Sequence, residues 1–422
     1  MSNKDKAPLL PKLRFPQFRG CEEWQLAPLN QLATRTKQKN RDEKITRVLT
    51  NSAEFGVLDQ RDFFDKDIAT QGNLESYFVV EQGSYVYNPR ISVTAPVGPI
   101  SKNKIGTGVM SPLYTVFKFK DQNNEFYEQY FKTAGWHTYM RQASSTGARH
   151  DRMAIASDDF MAMPLPVSTP TEQQKIADCL SSLDELIAAQ ARKVDALKTH
   201  KKGLMQQLFP REGETQPRLR FPEFRDTGEW KEKKLGAVCD IQRGKFSHRP
   251  RNDPKFFGGR YPFIQTGDVV KSAGGEVIAS QTLNDEGLAV SKLFKPTIVL
   301  ITIAANIGDT GLLQTEGCFT DSVVGLIPNK EVIPIFLELV MRGQKENLNK
   351  LATTGAQKNI NNEILREVRV LLPLVNEQQR IADCLTALDT LITTATQELE
   401  TLKTHKKGLM QQLFPSVEAV QA

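Results

Sequence analysis

This chain repeats itself, and no fold that ignores the repeat can be right. Residues 172–210, beginning EQQKIADCL and ending LKTHKKGLMQQLFP, align without a gap to residues 377–415, 205 positions on. The copies share 26 of 39 residues, and their last 14 are identical. A second pair lies 206 positions apart: PKLRFPQFRGCEEW at 11–24 and PRLRFPEFRDTGEW at 217–230, with 9 identities in 14. A period near 205 is far beyond the roughly 20–50 residues of a solenoid repeat, so the chain is a tandem duplication of domain-sized units. Its 422 residues suit two or more folded domains. Between the repeats, residues 25–160 and 231–370 have almost nothing in common. Thr146-Gly147-Ala148 recurs as Thr354-Gly355-Ala356, and Leu49-Thr50-Asn51 is faintly echoed by Gln265-Thr266-Gly267. A shared frame thus holds two unlike inserts, as expected when the frame does one mechanical job and the inserts read different things.

The long repeat has the spacing of a coiled coil. Ile176, Leu180, Leu183, Ile187, Gln190, Val194, Leu197, Lys201, Leu204 and Leu208 fall on one seam. Ile381, Leu385, Leu388, Ile392, Ala395, Leu399, Leu402, Lys406, Leu409 and Leu413 repeat it. Alternating steps of four and three over about five heptads predict a helix that buries one stripe, roughly 55 Å long at 1.5 Å per residue. Pro170 and Pro373 precede the helices, and Pro210 and Pro415 close them. The available partner for each stripe is its duplicate, and the internal symmetry favours antiparallel pairing. Simple bracing of a globular protein is the competing reading. Identity at Lys198, His200, Lys202, Gln206 and Gln207 exceeds what packing demands and suits a partner that docks twice. The short repeats read as extended basic segments. Residues 11–24 are expected to follow the end of the second helix as 217–230 follow the first.

Composition narrows the class. With 39% apolar and 25% charged residues the chain is not wholly disordered. The longest apolar stretch, residues 298–305, is too short to span a bilayer. The polar start MSNKDK predicts no secretory signal, and five scattered cysteines without a CxxC pair predict reduced thiols in a cytoplasmic protein. A formal charge of +6 is compatible with a polyanionic partner.

The inserts read as mixed α and β. Strands are expected at 84–88, 113–119, 297–301 and 322–328, a turn at 308–311, and helices at 125–134 and 334–350. Basic residues cluster at Lys102 and Lys104, at Arg149 and Arg152, and at Arg243, Lys245, Arg249 and Arg251 among phenylalanines, all candidates for DNA phosphate. The turns carrying Arg149 and Gln357-Lys358-Asn359 are candidates for base contact, since Arg, Asn and Gln match base edges. Solvated basic loops are the plain alternative. The sequence has no phosphate loop GxxxxGK[ST], no GxSxG elbow, no HExxH and no complete GxGxxG. His200 and His405 read as surface residues near helix ends, and Cys179 and Cys384 as small packed residues beside the seam.

Proline-rich lead-in, EQQKIADCL or EQQRIADCL, then a long helix, repeated around two variable inserts, resembles the specificity subunit of bacterial type I restriction-modification systems. The resemblance covers essentially the whole chain, including the TGA…N-I-N turn at 354–361; the first insert's turn lacks the N-I-N. It implies an α+β fold (mixed α/β) with two target recognition domains, separated by two long helices forming an antiparallel coiled coil, in a pseudo-twofold internal duplication. The implied division is 1–165 for the N-terminal segment and first recognition domain, 166–212 for the first helix, 213–370 for the second recognition domain, and 371–422 for the second helix and tail. Each recognition domain would read one half of a split asymmetric site in double-stranded DNA, with the helices fixing the spacer. Two modification subunits and restriction subunits would dock on the chain. The chain would be non-catalytic and bind no cofactor or metal; S-adenosylmethionine, ATP and magnesium would serve its partners. A self-contained nuclease or methyltransferase and a non-DNA coiled-coil adaptor are the alternatives.

Overall fold

The computed structural model describes residues 9–63, 74–144, 151–304, 306–353 and 359–415. The chain divides into two compact units, one of residues 1–192 with 397–422, the other of residues 193–396. Both boundaries fall inside the long helices, Pro170–Leu208 and Val375–Leu413, of 39 residues each. Pro170 occupies the first helical position, where its missing N–H costs nothing. Pro210 and Pro415 disfavour helical geometry at the residue before them, so both helices stop at a leucine two positions earlier.

In the first unit, the start of the first helix packs against the end of the second. Asp184 meets Lys406 at 2.5 Å and Gln190 meets Glu398 at 2.8 Å. Numbers rise on one helix as they fall on the other, so the segments are antiparallel. In the second unit Lys201 meets Asp389 at 2.5 Å, and Leu208 shares a core with Ile381 and Leu385. Lys201–Asp389 and Asp184–Lys406 are one contact repeated at a shift of 205. No residue of the expected seam is exposed, from Ile176 at 1% to the half-buried Leu183, Ile187, Leu388 and Ile392. The same is true of Val194, Leu197, Leu204, Leu399, Leu402 and Leu409. The two lysines on the seam stay there because each finds a carboxylate. Burial pushes the Lys406 ammonium below its ordinary pKa, and contact with Asp184 opposes that shift.

The short repeats make the same frame twice. Leu13 N–H donates to Gln412 O at 2.9 Å in the first unit, and Leu219 N–H to Gln207 O at 2.9 Å in the second. Arg14 grips Glu172 at 2.7 and 2.8 Å, as Arg220 grips Glu377 at 2.7 Å through both oxygens. Each segment therefore follows the end of a long helix, as the repeat implied. The lead-ins are not wholly extended: Pro16–Phe18 and Pro222–Phe224 form 3₁₀ turns, for which proline pre-sets the backbone. Residues 11–24 belong to the first unit and meet the second long helix in its last turns. Deleting residues 1–20 is accordingly expected to destabilise the first unit by about 3 kcal/mol or more, through the loss of Arg14. Unchanged chemical denaturation of the full chain would contradict this.

A two-stranded antiparallel clasp closes each insert: Gln25–Pro28 with Pro164–Val167, and Lys231–Lys234 with Arg369–Leu372. The clasps occupy equivalent places with no sequence identity, because backbone pairing needs none. Beyond them the inserts diverge. The first has an antiparallel sheet in the order Ala33–Arg35, Thr115–Phe119, Tyr85–Tyr87, Ile100–Lys102. It packs on an aromatic core of Trp24, Tyr85, Phe117, Phe126, Trp136 and Phe160. The second has one antiparallel sheet in the order Cys239–Arg243, Val323–Pro328, Ile298–Thr302, Thr310–Leu313. Its second sheet runs Gln281–Leu283, Phe257–Ile264, Gly317–Phe319, Leu293–Phe294. Ile298–Thr302 is buried along its whole length, which is why four of its five residues are apolar.

The expected elements are present with shifted bounds. The turn placed at 308–311 is already a strand from Thr310. The helix placed at 125–134 is Glu125–Tyr130, and that at 334–350 is two helices, Pro334–Gly343 and Lys345–Thr353. Among the described residues no helix is long and apolar enough to cross a membrane.

Candidate nucleic-acid interface

In the first unit the strand Leu49–Ser52 edges a cleft of about 500 Å3. Asn51, 1% exposed, donates from Nδ2 to Val86 O at 2.8 Å and Pro99 O at 3.2 Å, while its buried Oδ1 has no partner among the described residues. Thr50 Oγ1 lies 3.1 Å from the Tyr114 hydroxyl. Asn88 Nδ2 donates to Asn51 O at 2.9 Å. Gly98 lets this wall close: its φ is +81°, and a Cβ there would lie 2.0 Å from Asn88 O. Arg90 and Arg152 also line the cleft, each 3.8 Å from the Asp151 carboxylate.

In the second unit a basic segment is held down by aromatic rings. Phe246 packs on Phe263 with centroids 5.1 Å apart and on Phe256 at 5.9 Å. Gly244 permits the approach, since a Cβ there would lie 2.2 Å from Thr320 O. Three arginines converge on Asp321. Arg243 Nε donates to its carbonyl at 2.5 Å, and Arg251 and Arg249 reach Oδ2 at 2.6 and 3.3 Å. One carboxylate offsets one of the three charges, so the segment stays positive. Lys245 is exposed and contributes its carbonyl to Ser291 Oγ at 2.7 Å. Beside this segment lies a second cleft of about 500 Å3, lined by Phe246, Arg251, Asn252, Gln265, Gln281 and Thr320 among others. Thr320 Oγ1 and Asp321 Oδ1 are buried without partners among the described residues.

The structure thus brings Arg243, Arg249 and Arg251 together and puts Arg152 and Arg251 on clefts. Lys102 and Lys104 are tied to carboxylates, Lys102 to Glu125 at 2.6 Å and Lys104 to Glu128 at 2.7 Å, and so brace the sheet against the helix Glu125–Tyr130. Asn359 is exposed and its backbone bridges to Ala304. Arg149, Gln357 and Lys358 lie outside the described residues. Sequence reasoning passed over Asn51, Asn88, Gln265 and Gln281 as cleft residues. The one signal was the faint echo of Leu49-Thr50-Asn51 in Gln265-Thr266-Gly267, which places a carboxamide in each cleft.

Other reactive groups are quiet. Burial pushes the Cys239 thiol up to about 12, and Cys179 and Cys384 are half-buried beside the seam. His200 and His405 are exposed on the long helices. Among the described residues no cluster of three His, Cys, Asp or Glu side chains could hold a metal ion.

Comparison with known proteins points one way. Residues 227–404 match the family described as type I restriction modification DNA specificity domain. The putative type I restriction enzyme MjaX specificity subunit of Methanocaldococcus jannaschii is 27% identical over 266 residues, 63% of this chain and 61% of that protein. The MjaVIII specificity subunit of the same organism is 24% identical over 344 residues, 74% of this chain and 71% of that protein. The aligned part of this chain spans about three fifths of the length of the first of these relatives. A type I restriction-modification system S subunit from M. genitalium has the same fold, with a TM-score of 0.57, 13% identity, and coverage of 96% of this chain and 99% of that one. So does a chain from a study of complex assembly and conformational transition in a type I R-M system, with a TM-score of 0.56, 18% identity, and coverage of 93% and 97%. Residues 227–404 therefore match the type I restriction modification DNA specificity domain, and the chain as a whole resembles the specificity subunits of type I restriction enzymes in sequence and in fold.

Proposed function

We propose that this chain is the sequence-reading subunit of a type I restriction-modification complex. Each insert reads one half of a split, asymmetric site in double-stranded DNA, and the long helices fix the unspecified spacer between the halves. The observation that carries this reading is the repetition of one frame, hydrogen bond by hydrogen bond, around two unlike inserts. The contacts Arg14–Glu172, Leu13–Gln412 and Asp184–Lys406 recur as Arg220–Glu377, Leu219–Gln207 and Lys201–Asp389. A frame reproduced so closely can present two different readers to one duplex in equivalent ways.

The basic segments supply the sequence-independent part of DNA affinity, which is electrostatic and falls steeply with salt. The frame also offers equivalent docking surfaces for two modification subunits. Leu186 and Leu391, related by the same shift of 205, are each 54% exposed, and the identical helix ends present Lys198, His200 and Lys202 outward. Chemistry in this proposal resides in the partners, which use S-adenosylmethionine for methylation and ATP with magnesium for translocation and cleavage. Restriction subunits complete the complex in the cytoplasm.

Exchanging residues 231–365 for the corresponding insert of another specificity subunit tests the division of labour. The expected result is replacement of one half-site, with the other half-site and the spacer unchanged, read by methylation-sensitive sequencing of a host genome. A change in both half-sites would overturn it. A chain that shows no salt-dependent shift of duplex DNA, alone or with its modification subunits, would favour a non-DNA adaptor.

A further inference from the structure

Resting on the reading above that the second unit contacts DNA, we propose that its cleft reads a guanine through the major groove, with Gln281 and Arg251 as the specificity-determining residues. The cleft opens beside an antiparallel ribbon of Phe257–Ile264 and Gln281–Leu283, and Gln281–Leu283 is the edge strand of its sheet. A two-stranded ribbon is one of the two shapes that a major groove admits. Gln281 is exposed on that edge.

Among the polar groups of the cleft, which also include Asn252 and Ser280, Gln281 and Arg251 present N–H donors. Gln265 Nε2 donates to Gln281 Oε1 at 3.1 Å, which fixes the Gln281 carboxamide and engages its acceptor. Both N–H groups of Gln281 Nε2 are then left to face a ligand, having no partner among the described residues. Arg251 uses one terminal nitrogen on Asp321, at 2.6 Å, and keeps its other N–H groups available. Thr320, 6% exposed, also lines the cleft, and its buried hydroxyl has no partner among the described residues. Guanine alone among the bases shows two adjacent acceptors, O6 and N7, in the major groove. A donor array therefore complements guanine better than adenine or cytosine, each of which presents an amino group there.

A phosphate is the other acceptor-rich group on DNA, and the cleft suits it less well. The Asp321 carboxylate already engages Arg251 and Arg249 and offsets part of their charge at the cleft. The two neutral carboxamides add no charge, and their mutual hydrogen bond gives them a fixed spacing that charge neutralisation does not require. The aromatic wall of Phe246 and Phe263 anchors the basic segment and keeps that spacing rigid.

The test uses the full chain in complex with its modification subunits and a pool of randomised duplexes. The half-site assigned to the second unit is expected to contain a guanine at which 7-deazaguanine, which lacks the N7 acceptor, weakens binding about tenfold or more. Gln281→Ala is expected to weaken binding to that site to a similar degree and to relax selection at that one position. It should leave the other half-site and non-specific binding as they were. Because Gln281 is exposed, the variant should fold, and unaltered thermal unfolding checks this. A half-site without guanine, or one insensitive to both changes, overturns the inference. So does a Gln281→Ala variant that binds all sequences equally less well, which would assign the side chain to phosphate. If the wild-type complex enriches no sequence at all, the parent reading fails instead.

Discussion

Replacing Glu172 with Ala is expected to lower the stability of the first unit by about 3–5 kcal/mol, the range for breaking one side of a buried ion pair. The Glu172 side chain is 1% exposed and that of Arg14 is 9% exposed. The carboxylate accepts from Arg14 at 2.7 and 2.8 Å, from Trp24 Nε1 at 3.1 Å and from the Ser168 hydroxyl. Its removal leaves the guanidinium buried without its counter-charge, held only by the carbonyls of Cys21 and Glu22, and leaves the Trp24 indole N–H without its acceptor. The equivalent Glu377→Ala should be milder by about 1 kcal/mol, one net hydrogen bond or so. Trp230 Nε1 has no partner among the described residues, and Pro373 stands where the first unit has Ser168. Denaturant unfolding followed by tryptophan fluorescence measures both. Equal losses, or losses near zero, would contradict this description of the frame.

The same carboxylate sets an acid limit. Burial opposes ionisation of Glu172, but its hydrogen bonds to Arg14, Ser168 and Trp24 prevail and hold the carboxyl below its ordinary value. A group whose pKa is depressed by folding adds stability above its unfolded value, about 4.3 for glutamate, and that contribution is lost as pH falls through the folded value. Stability of the first unit should therefore fall more steeply on the acid side in the native chain than in Glu172→Ala.

What the sequence revealed was the frame. Helix seam, closing prolines and lead-in segments are local patterns, and duplication doubles their signal. Lys201 and Lys406 could be placed on the seam by spacing alone, but not their partners Asp389 and Asp184, which lie 188 and 222 residues away. The inserts were legible only as strands and helices, because their sheets join strands far apart in sequence and their cores use different residues. Trp136 and Phe160 fill the first, where Val299 and Leu337 fill the second. Ion pairing was not legible from charge alone. Lys102 and Lys104 looked free in sequence and are paired in space, whereas uncharged Asn51, Gln265 and Gln281 line the clefts.

The claim that matters most is that the helices, not the inserts, fix the distance between the two half-sites. Inserting seven residues into each helix, after Gln190 and after Ala395, preserves the heptad seam and lengthens each by about 10 Å. Duplex DNA advances about 3.4 Å per base pair, so length alone predicts a spacer about three base pairs longer. Methylation-sensitive sequencing of a host genome carrying this variant with its modification subunits reads the outcome directly. The account predicts both original half-sites at a changed separation, with methylation of the original site lost. Methylation at the original separation, or altered bases within either half-site, would contradict it.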